Sequence, residues 1–188
     1  MKSIKVLTVI IVVFLFYPNP LYAANLQDGI FGLKWGSNLS KLSGFSELWS
    51  KSNVGFYIKP NEALTINDFI VNEIIYGLYT NQFFAVYIKI DTVEVFGEFR
   101  RYMKSKYGIP KKTMSLKDEL TVYRWKYKDI KIKLKLNQKN NQMKLAFYYT
   151  PLSDKVNEAL HEKFQRKSFK FFPIDKNKTS VMFPLLHF

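Results

Sequence analysis

Three segments between residues 121 and 149 alternate apolar and polar side chains, and this period-two pattern constrains the fold more than any other feature. The segments are 121–128, 130–136 and 142–149. Successive residues of a strand point to opposite faces of a sheet. The connections are short, at Lys128-Asp129 and over the polar residues 137–141. Because short connections join antiparallel neighbours, the pattern predicts an antiparallel three-stranded sheet with one apolar face.

The first turn determines the register of the predicted hairpin. If Lys128-Asp129 is a two-residue turn, Tyr127 lies opposite Ile130, and the pairing continues along both strands. The apolar face then carries alternate residues of both strands: Tyr123, Trp125, Tyr127, Ile130, Ile132 and Leu134. The opposite face, here called the basic face, carries Arg124, Lys126, Lys131, Lys133 and Lys135, and receives Lys144 and Tyr148 from the third strand. We expect these basic side chains to point to solvent.

This register places like charges opposite each other on the basic face, Arg124 against Lys133 and Lys126 against Lys131. Each such pair destabilises a sheet by a few tenths of a kcal/mol, on the order of 0.2–1. Two interpretations stay open. The face is either a solvated surface, since exposed lysines are ordinary and protect sheet edges, or a docking surface for an anion.

Positive charge is concentrated in the same part of the chain. Residues 99–139 hold 14 Lys or Arg and 3 Asp or Glu, a net charge of +11. Residues 24–98 hold 5 basic and 8 acidic residues, a net charge of −3. The asymmetry indicates a localised cationic surface and not a uniformly basic protein.

The preceding part of the chain has a similar order of elements. Strand patterns lie at 54–58, 71–79 and 83–90, with a loop or crossover over 61–68. A helix is predicted from Asp91 or Thr92 to Gly108, with an apolar side formed by Val95, Phe96, Phe99, Tyr102 and Met103. A shorter helix, capped by Ser37 or Asn38, is predicted from the three-residue spacing of Leu39, Leu42, Phe45 and Leu48.

The predicted order is therefore helix, three strands, helix, three strands. This order predicts an α+β fold in which two helix-plus-three-antiparallel-strand units lie side by side within residues 24–150. Residues 151–188 are predicted to form a C-terminal helix, from Ser153 to about Lys167, and an apolar tail that packs back on the domain.

The first 23 residues have the layout of a secretory signal peptide. Lys2 and Lys5 precede an apolar run over residues 6–17, and Leu21-Tyr22-Ala23 offers a small residue for cleavage. A spanning helix needs roughly 20 apolar residues, so we expect cleavage before Ala24 and no transmembrane span in the mature chain, with a retained anchor as the alternative. The chain has no cysteine. Together these features predict a periplasmic or secreted bacterial protein without disulfides or a lipid-bearing cysteine.

Three short motifs carry a resemblance. They are Phe31-Gly32-Leu33-Lys34-Trp35-Gly36-Ser37, Lys106-Tyr107-Gly108-Ile109-Pro110 and Tyr123-Arg124-Trp125. The chain resembles a group of small uncharacterised exported bacterial proteins in which an FGxxWG start and a KYGxP helix end recur. Its layout is similar to the tandem units of the β-lactamase inhibitor protein and, more loosely, to the small outer-membrane assembly lipoproteins. The resemblance covers most of residues 30–150 and implies a fold, but it transfers no functional residue.

Sequence motifs for catalysis and metal binding do not occur. The two histidines, His161 and His187, do not have the spacing of a metal-binding motif, and no nucleophile elbow, dinucleotide fingerprint or phosphate loop is present. We therefore predict no catalytic residue, no metal and no cofactor.

The predicted function is a non-enzymatic, exported binding module of the bacterial envelope that contacts an anionic partner through the basic face. Candidate partners are an acidic envelope protein, an anionic lipid or an envelope polymer. Nucleic acid is disfavoured because the chain has an export signal. The alternatives are a small periplasmic hydrolase with a site between the two units, and a periplasmic inhibitor or chaperone.

Overall fold

Strands make up most of the part of the chain that the structure describes. The computed structural model describes residues 25–39, 43–51, 53–66, 69–71 and 73–164. The predicted signal peptide, the predicted apolar tail, His187 and the side chain of His161 lie outside this description. In chain order the elements are β1 (Gly29–Ile30), β2 (Leu33–Lys34), β3 (Ser46–Lys51), β4 (Val54–Ile58), β5 (Leu64–Ile66), β6 (Phe69–Val71), β7 (Ile74–Tyr79), β8 (Gln82–Ile90), α1 (Val93–Tyr107), β9 (Lys111–Ser115), β10 (Leu120–Tyr127), β11 (Ile130–Asn137), β12 (Gln142–Tyr149) and α2 (Thr150–Phe164).

Eight of these strands form one continuous antiparallel sheet in the order β3-β4-β7-β8-β12-β11-β10-β9. Strands β8 and β12 pair from Ile90 with Met143 to Ala85 with Tyr148, and this pairing joins the two predicted groups of strands. The predicted fold class of two helix-plus-three-strand units side by side is therefore wrong. The described chain is mostly β, with two helices, and the β8–β12 pairing links segments too distant in sequence for a local pattern to reveal.

The predicted first helix is also wrong from Ser46 onward, and residues 40–42 of the predicted range lie outside the described residues. Residues Ser46–Lys51 form β3, which pairs with β4 across a bulge between Glu47 and Trp49. A strict three-residue spacing drifts around a helix of 3.6 residues per turn, so the apolar residues do not make a straight stripe. Gly44 adopts a left-handed conformation with φ 90, which ends any helical path through it.

Most of the remaining local predictions are confirmed. The predicted loop over 61–68 is an exception, because it includes β5, which pairs with β6 just beyond it. Helix α1 begins where Thr92 accepts a hydrogen bond from the Val95 amide at 3.3 Å, and it ends where the Gly108 amide donates to the Lys104 carbonyl. Helix α2 starts at Thr150, three residues before the predicted start, because it follows β12 without a loop.

The two helices pack against the sheet at different places. Phe96, Phe99 and Met103 of α1 lie in the larger core, together with the apolar side of the β10–β11 hairpin. We call this side of the sheet the core face. Leu152 and Val156 of α2 lie in a second core on the opposite side of the sheet, against residues of β7, β8 and β12.

The predicted register of the β10–β11 hairpin is confirmed at every position. Tyr127 pairs with Ile130 and Trp125 with Ile132, with Lys128 in a left-handed conformation at the turn. Trp125 is buried, and its indole nitrogen donates to the Gly108 carbonyl at 2.8 Å. The glycine of the KYGxP motif therefore ends α1 and also anchors the central tryptophan of the hairpin.

Candidate anion-binding face

The structure brings the predicted basic residues together on one side of the sheet. Arg124 lies opposite Lys133, and Lys126 lies opposite Lys131, as the sequence predicts. The next row continues across three strands, from Lys135 on β11 to Lys144 on β12 and Lys89 on β8. Sequence reasoning missed Lys89, because the pairing of β8 with β12 was not foreseen.

On β10, next to the edge strand β9, the cations of the basic face contact neutral groups or solvent. The Arg124 guanidinium donates a hydrogen bond to the Thr113 hydroxyl on β9. Lys126 is exposed, as predicted. These two side chains are accessible to a ligand that approaches from the β9 side.

Helix α2 contributes one acid to the basic face. The Lys131 ammonium donates to the Asp154 carboxylate at 2.8 Å, and both side chains are nearly half exposed. Sequence reasoning missed Asp154 because it did not predict that α2 packs on this side of the sheet. The pair neutralises one cation at the margin of the helix.

Lys133 and Tyr148 form a contact between the cations and the aromatic core under α2. The Lys133 nitrogen lies 4.8 Å from the centroid of the Tyr148 ring, a cation–π distance. Tyr148 in turn packs edge-on against Tyr87 with centroids 5.6 Å apart. Burial raises the pKa of the Tyr148 hydroxyl to about 12, so the hydroxyl stays neutral. Tyr148 therefore offers a ring face to Lys133 and no negative charge.

Lys144 lies on the predicted face but is not at the surface. Only 1% of the residue is exposed, so the expectation of a solvent-directed side chain is wrong. Its nitrogen lies 5.7 Å from the centroid of the Tyr87 ring, on the side of the sheet where α2 packs against β7, β8 and β12. Desolvation by burial, followed by repulsion from Lys135 and Lys133, lowers the pKa of Lys144 to about 6.

The neighbouring lysines show weaker forms of the same effect. Burial, with repulsion from Lys133 and Arg124, lowers the pKa of Lys135 to about 8. Burial and repulsion from Arg124 and Lys131 also lower the pKa of Lys133, although Asp154 opposes the shift. The amines of these lysines are therefore harder to protonate than ordinary lysine side chains.

Lys89 shows how a neighbouring acid changes the pKa of a lysine in this sheet. It lies directly opposite Lys144 but contacts the Glu73 carboxylate, and its nitrogen lies 3.4 Å from Asp91. Burial lowers the pKa of Lys89, but the hydrogen bond and charge of Glu73 outweigh burial, so the net pKa is raised. At Lys89, the neighbouring acid therefore outweighs the effect of partial burial on the pKa.

A small cavity of about 200 Å³ lies elsewhere, lined by Phe31, Leu33, Ser43, Phe45, Lys59 and Glu62. Its carboxylate already has partners, since Glu62 accepts a hydrogen bond from the Tyr76 hydroxyl at 2.6 Å and lies 3.7 Å from the Lys59 nitrogen. Among the described residues, no group of three or more acids, histidines or cysteines could hold a metal ion. The alternative prediction of a hydrolase assumed a site between two separate units. In the structure, one continuous sheet joins the two groups of strands at that position.

Comparisons of the chain with protein-family models, with curated proteins and with solved structures found no match. The resemblance drawn from the FGxxWG and KYGxP motifs stays a prediction. Within the described ranges, no helix is long and apolar enough to cross a membrane. The functional argument therefore rests on the basic face itself.

Proposed function

We propose that this chain is an exported, non-enzymatic binding module of the bacterial envelope that holds an acidic protein on its basic face. The observation that carries the proposal is a cluster of half-buried lysines that the sheet holds next to one another, with like charges directly opposite across the hairpin. Lys133 and Lys135 form no ion pair with any described residue. The signal-peptide layout of the first 23 residues supports the exported part.

Repulsion between the neighbouring cations gives the face a reason to bind anions. A carboxylate placed beside Lys133 and Lys135 supplies the opposite charge that Glu73 supplies to Lys89. The carboxylate raises the pKa of the amines beside it and reduces the like-charge repulsion across the hairpin. Binding and protonation of the face are therefore coupled.

The depth of the cations favours carboxylate side chains over a lipid surface. Lys133 and Lys135 are half-buried, and α2 lies beside them. A flat membrane surface attracts basic groups that protrude from a protein, and among the five cations that β10 and β11 place on the basic face only Lys126 is fully exposed, with Lys131 nearly half exposed. An acidic protein can extend glutamate or aspartate side chains toward recessed amines.

The test compares two variants that lose the same charge. The face variant carries Lys126→Gln, Lys133→Gln and Lys135→Gln, and it keeps Lys131 paired with Asp154. The control variant carries Lys34→Gln, Lys104→Gln and Lys139→Gln, all at exposed positions. Circular dichroism first shows that both variants are folded. Titration calorimetry then measures binding of poly-L-glutamate, with phosphatidylglycerol vesicles and polyphosphate as the other arms.

We expect the face variant to bind poly-L-glutamate roughly tenfold more weakly than the wild type, about 1.4 kcal/mol of binding free energy. The control variant should stay close to the wild type, and added salt should weaken the wild-type complex. Equal losses in the two variants would show that net charge alone matters. Binding to vesicles or polyphosphate without binding to poly-L-glutamate would show that the partner is not an acidic protein.

A further inference from the structure

Strand β9 forms the edge of the sheet next to the basic face. It pairs with β10 from Leu120 opposite Ser115 to Arg124 opposite Lys111. On its other side, no described strand pairs with it. The backbone N–H and C=O groups along that side can therefore form hydrogen bonds with an added strand.

Exposed apolar side chains are concentrated at this edge. Met114 in β9 is 60% exposed, and the flanking Ile109 and Leu116 are each 86% exposed. These are three of the five large hydrophobic residues that are exposed in the described chain. Lysines commonly protect a sheet edge from unwanted pairing, but protection does not account for three exposed apolar side chains beside them.

The lysines of β9 point to both faces of the sheet. Lys111 lies opposite Arg124 and therefore on the basic face. Lys112 lies opposite Tyr123, on the other face, with its nitrogen 5.8 Å from the centroid of that ring. At the far end of the strand, the turn to β10 carries Lys117 and the acids Asp118 and Glu119, a net charge of −1. Positive charge thus lies at the Lys111 end, and a small net negative charge lies beyond Ser115.

We propose that β9 binds an extended acidic segment of the partner protein as a ninth strand of the sheet. The proposal rests on the proposed function and names how its acidic partner is held. A peptide backbone satisfies the hydrogen-bonding groups of the edge, which hydrocarbon cannot do. Consecutive acids beside Lys111 and Lys112 fit the charge on both faces, and an apolar residue fits beside Met114.

The register of β9 specifies a test sequence. All neighbouring strands of the sheet are antiparallel, so we expect an antiparallel addition. Read from its N-terminus opposite Ser115 to its C-terminus opposite Lys111, the peptide is Thr-Val-Thr-Glu-Glu. The valine lies beside Met114, and the glutamates lie beside Lys112 and Lys111. This order also keeps the glutamates away from Asp118 and Glu119.

The experiment measures binding of this peptide, with a fluorescent label, to the full chain by anisotropy. Two further peptides carry N-methyl groups on alternate amides. One is methylated on the amides that would face β9, and the other on the amides that would face away from it. Both keep the side chains and the charge of the parent peptide. A scrambled peptide of the same composition is the sequence control. Hydrogen exchange of residues 111–115 provides an independent readout.

We expect the peptide that is methylated on the amides facing β9 to bind roughly tenfold or more weakly, because those amides no longer donate to β9, while the other binds like the parent. The scrambled peptide should also bind more weakly, and the β9 amides should gain protection when the parent peptide binds.

If both methylated peptides and the scrambled peptide bind equally, strand addition is wrong. Binding that is equal for all peptides and still lost in the face variant leaves the proposed function standing. If neither the peptides nor poly-L-glutamate bind, the proposed function fails as well. Self-association of the chain that the parent peptide cannot reverse would assign the edge to a second copy and overturn the proposal.

Discussion

The two faces of the β10–β11 hairpin share one backbone and one register, but the side chains on one face stabilise the sheet and those on the other repel each other. On the core face, Trp125, Ile132 and Leu134 are buried in the larger core. On the basic face, Arg124 and Lys133 are held opposite each other although they repel. Packing on the core face holds the hairpin together, and the hairpin therefore tolerates the repulsion between cations on the basic face. That state can be relieved by a bound anion.

The largest expected effect tests the core face. Trp125→Ala should lower the free energy of unfolding by about 3–5 kcal/mol, because it removes a buried aromatic side chain and leaves a cavity. A urea titration measures the change. Trp125→Phe, which keeps a ring and loses the hydrogen bond to Gly108, should cost less. A loss below about 1 kcal/mol for the alanine variant would contradict the burial of this face.

A second effect tests the packing of α2 against the side of the sheet that carries Lys144. Leu152 is buried in the second core, so Leu152→Ala should cost about 2–3 kcal/mol. Lys155→Ala, at an exposed position of the same helix, is the control and should change stability by at most about 0.5 kcal/mol. Acylation of Lys144, followed by mass spectrometry, should become faster in Leu152→Ala. Equal stability of the two variants would show that α2 does not bury this part of the sheet.

The local features of the hairpin could be predicted from the sequence because they depend on neighbouring residues. The two-residue turn at Lys128-Asp129 and the alternation around it determine the whole register. The cap at Thr92 and the stop at Gly108 are equally local, so the bounds of α1 were predictable.

The incorrect predictions concern contacts between distant segments. Pairing of β8 with β12 depends on the shapes of two buried strands, and neither strand carries a signal that names its partner. The burial of Lys144 depends on tertiary packing, because an alternating pattern places a lysine on a face without showing what covers it. The basic residues of the candidate site were therefore predictable, whereas their depth and their suppressed charge were not.

The smallest expected effect concerns the pH dependence of the basic face. The pKa of Lys135 is lowered from 10.5 to about 8 in the folded protein, so the unfolded chain binds this proton more tightly. Between these values the unfolded state carries more protons, and the stability of the wild type rises with pH. Lys135→Met removes this contribution. The variant should be more stable than the wild type at pH 7, by a few tenths to about 1 kcal/mol.

That gain should shrink as the pH rises from about 8 to 10.5, because the folded wild type then loses the unfavourable charge on Lys135 while the unfolded chain keeps its proton. Urea titrations of both proteins at several pH values measure the difference. Lys104→Met, at an exposed position of α1, is the control and should show no such trend. A variant that is less stable than the wild type at pH 7 would show that Lys135 makes a favourable contact on this face.

The most direct test of the central claim is the number of protons taken up when an anion binds. Poly-L-glutamate is titrated into the wild type at pH 8, near the lowered pKa of Lys135, in non-anionic buffers of different ionisation enthalpy. If the bound carboxylates restore the charge of the basic face, the measured heat depends on the buffer with the sign of proton uptake. The uptake should be smaller in Lys135→Met. Binding whose heat is the same in every buffer would contradict the account, because the lysines would then carry the same charge with and without the anion.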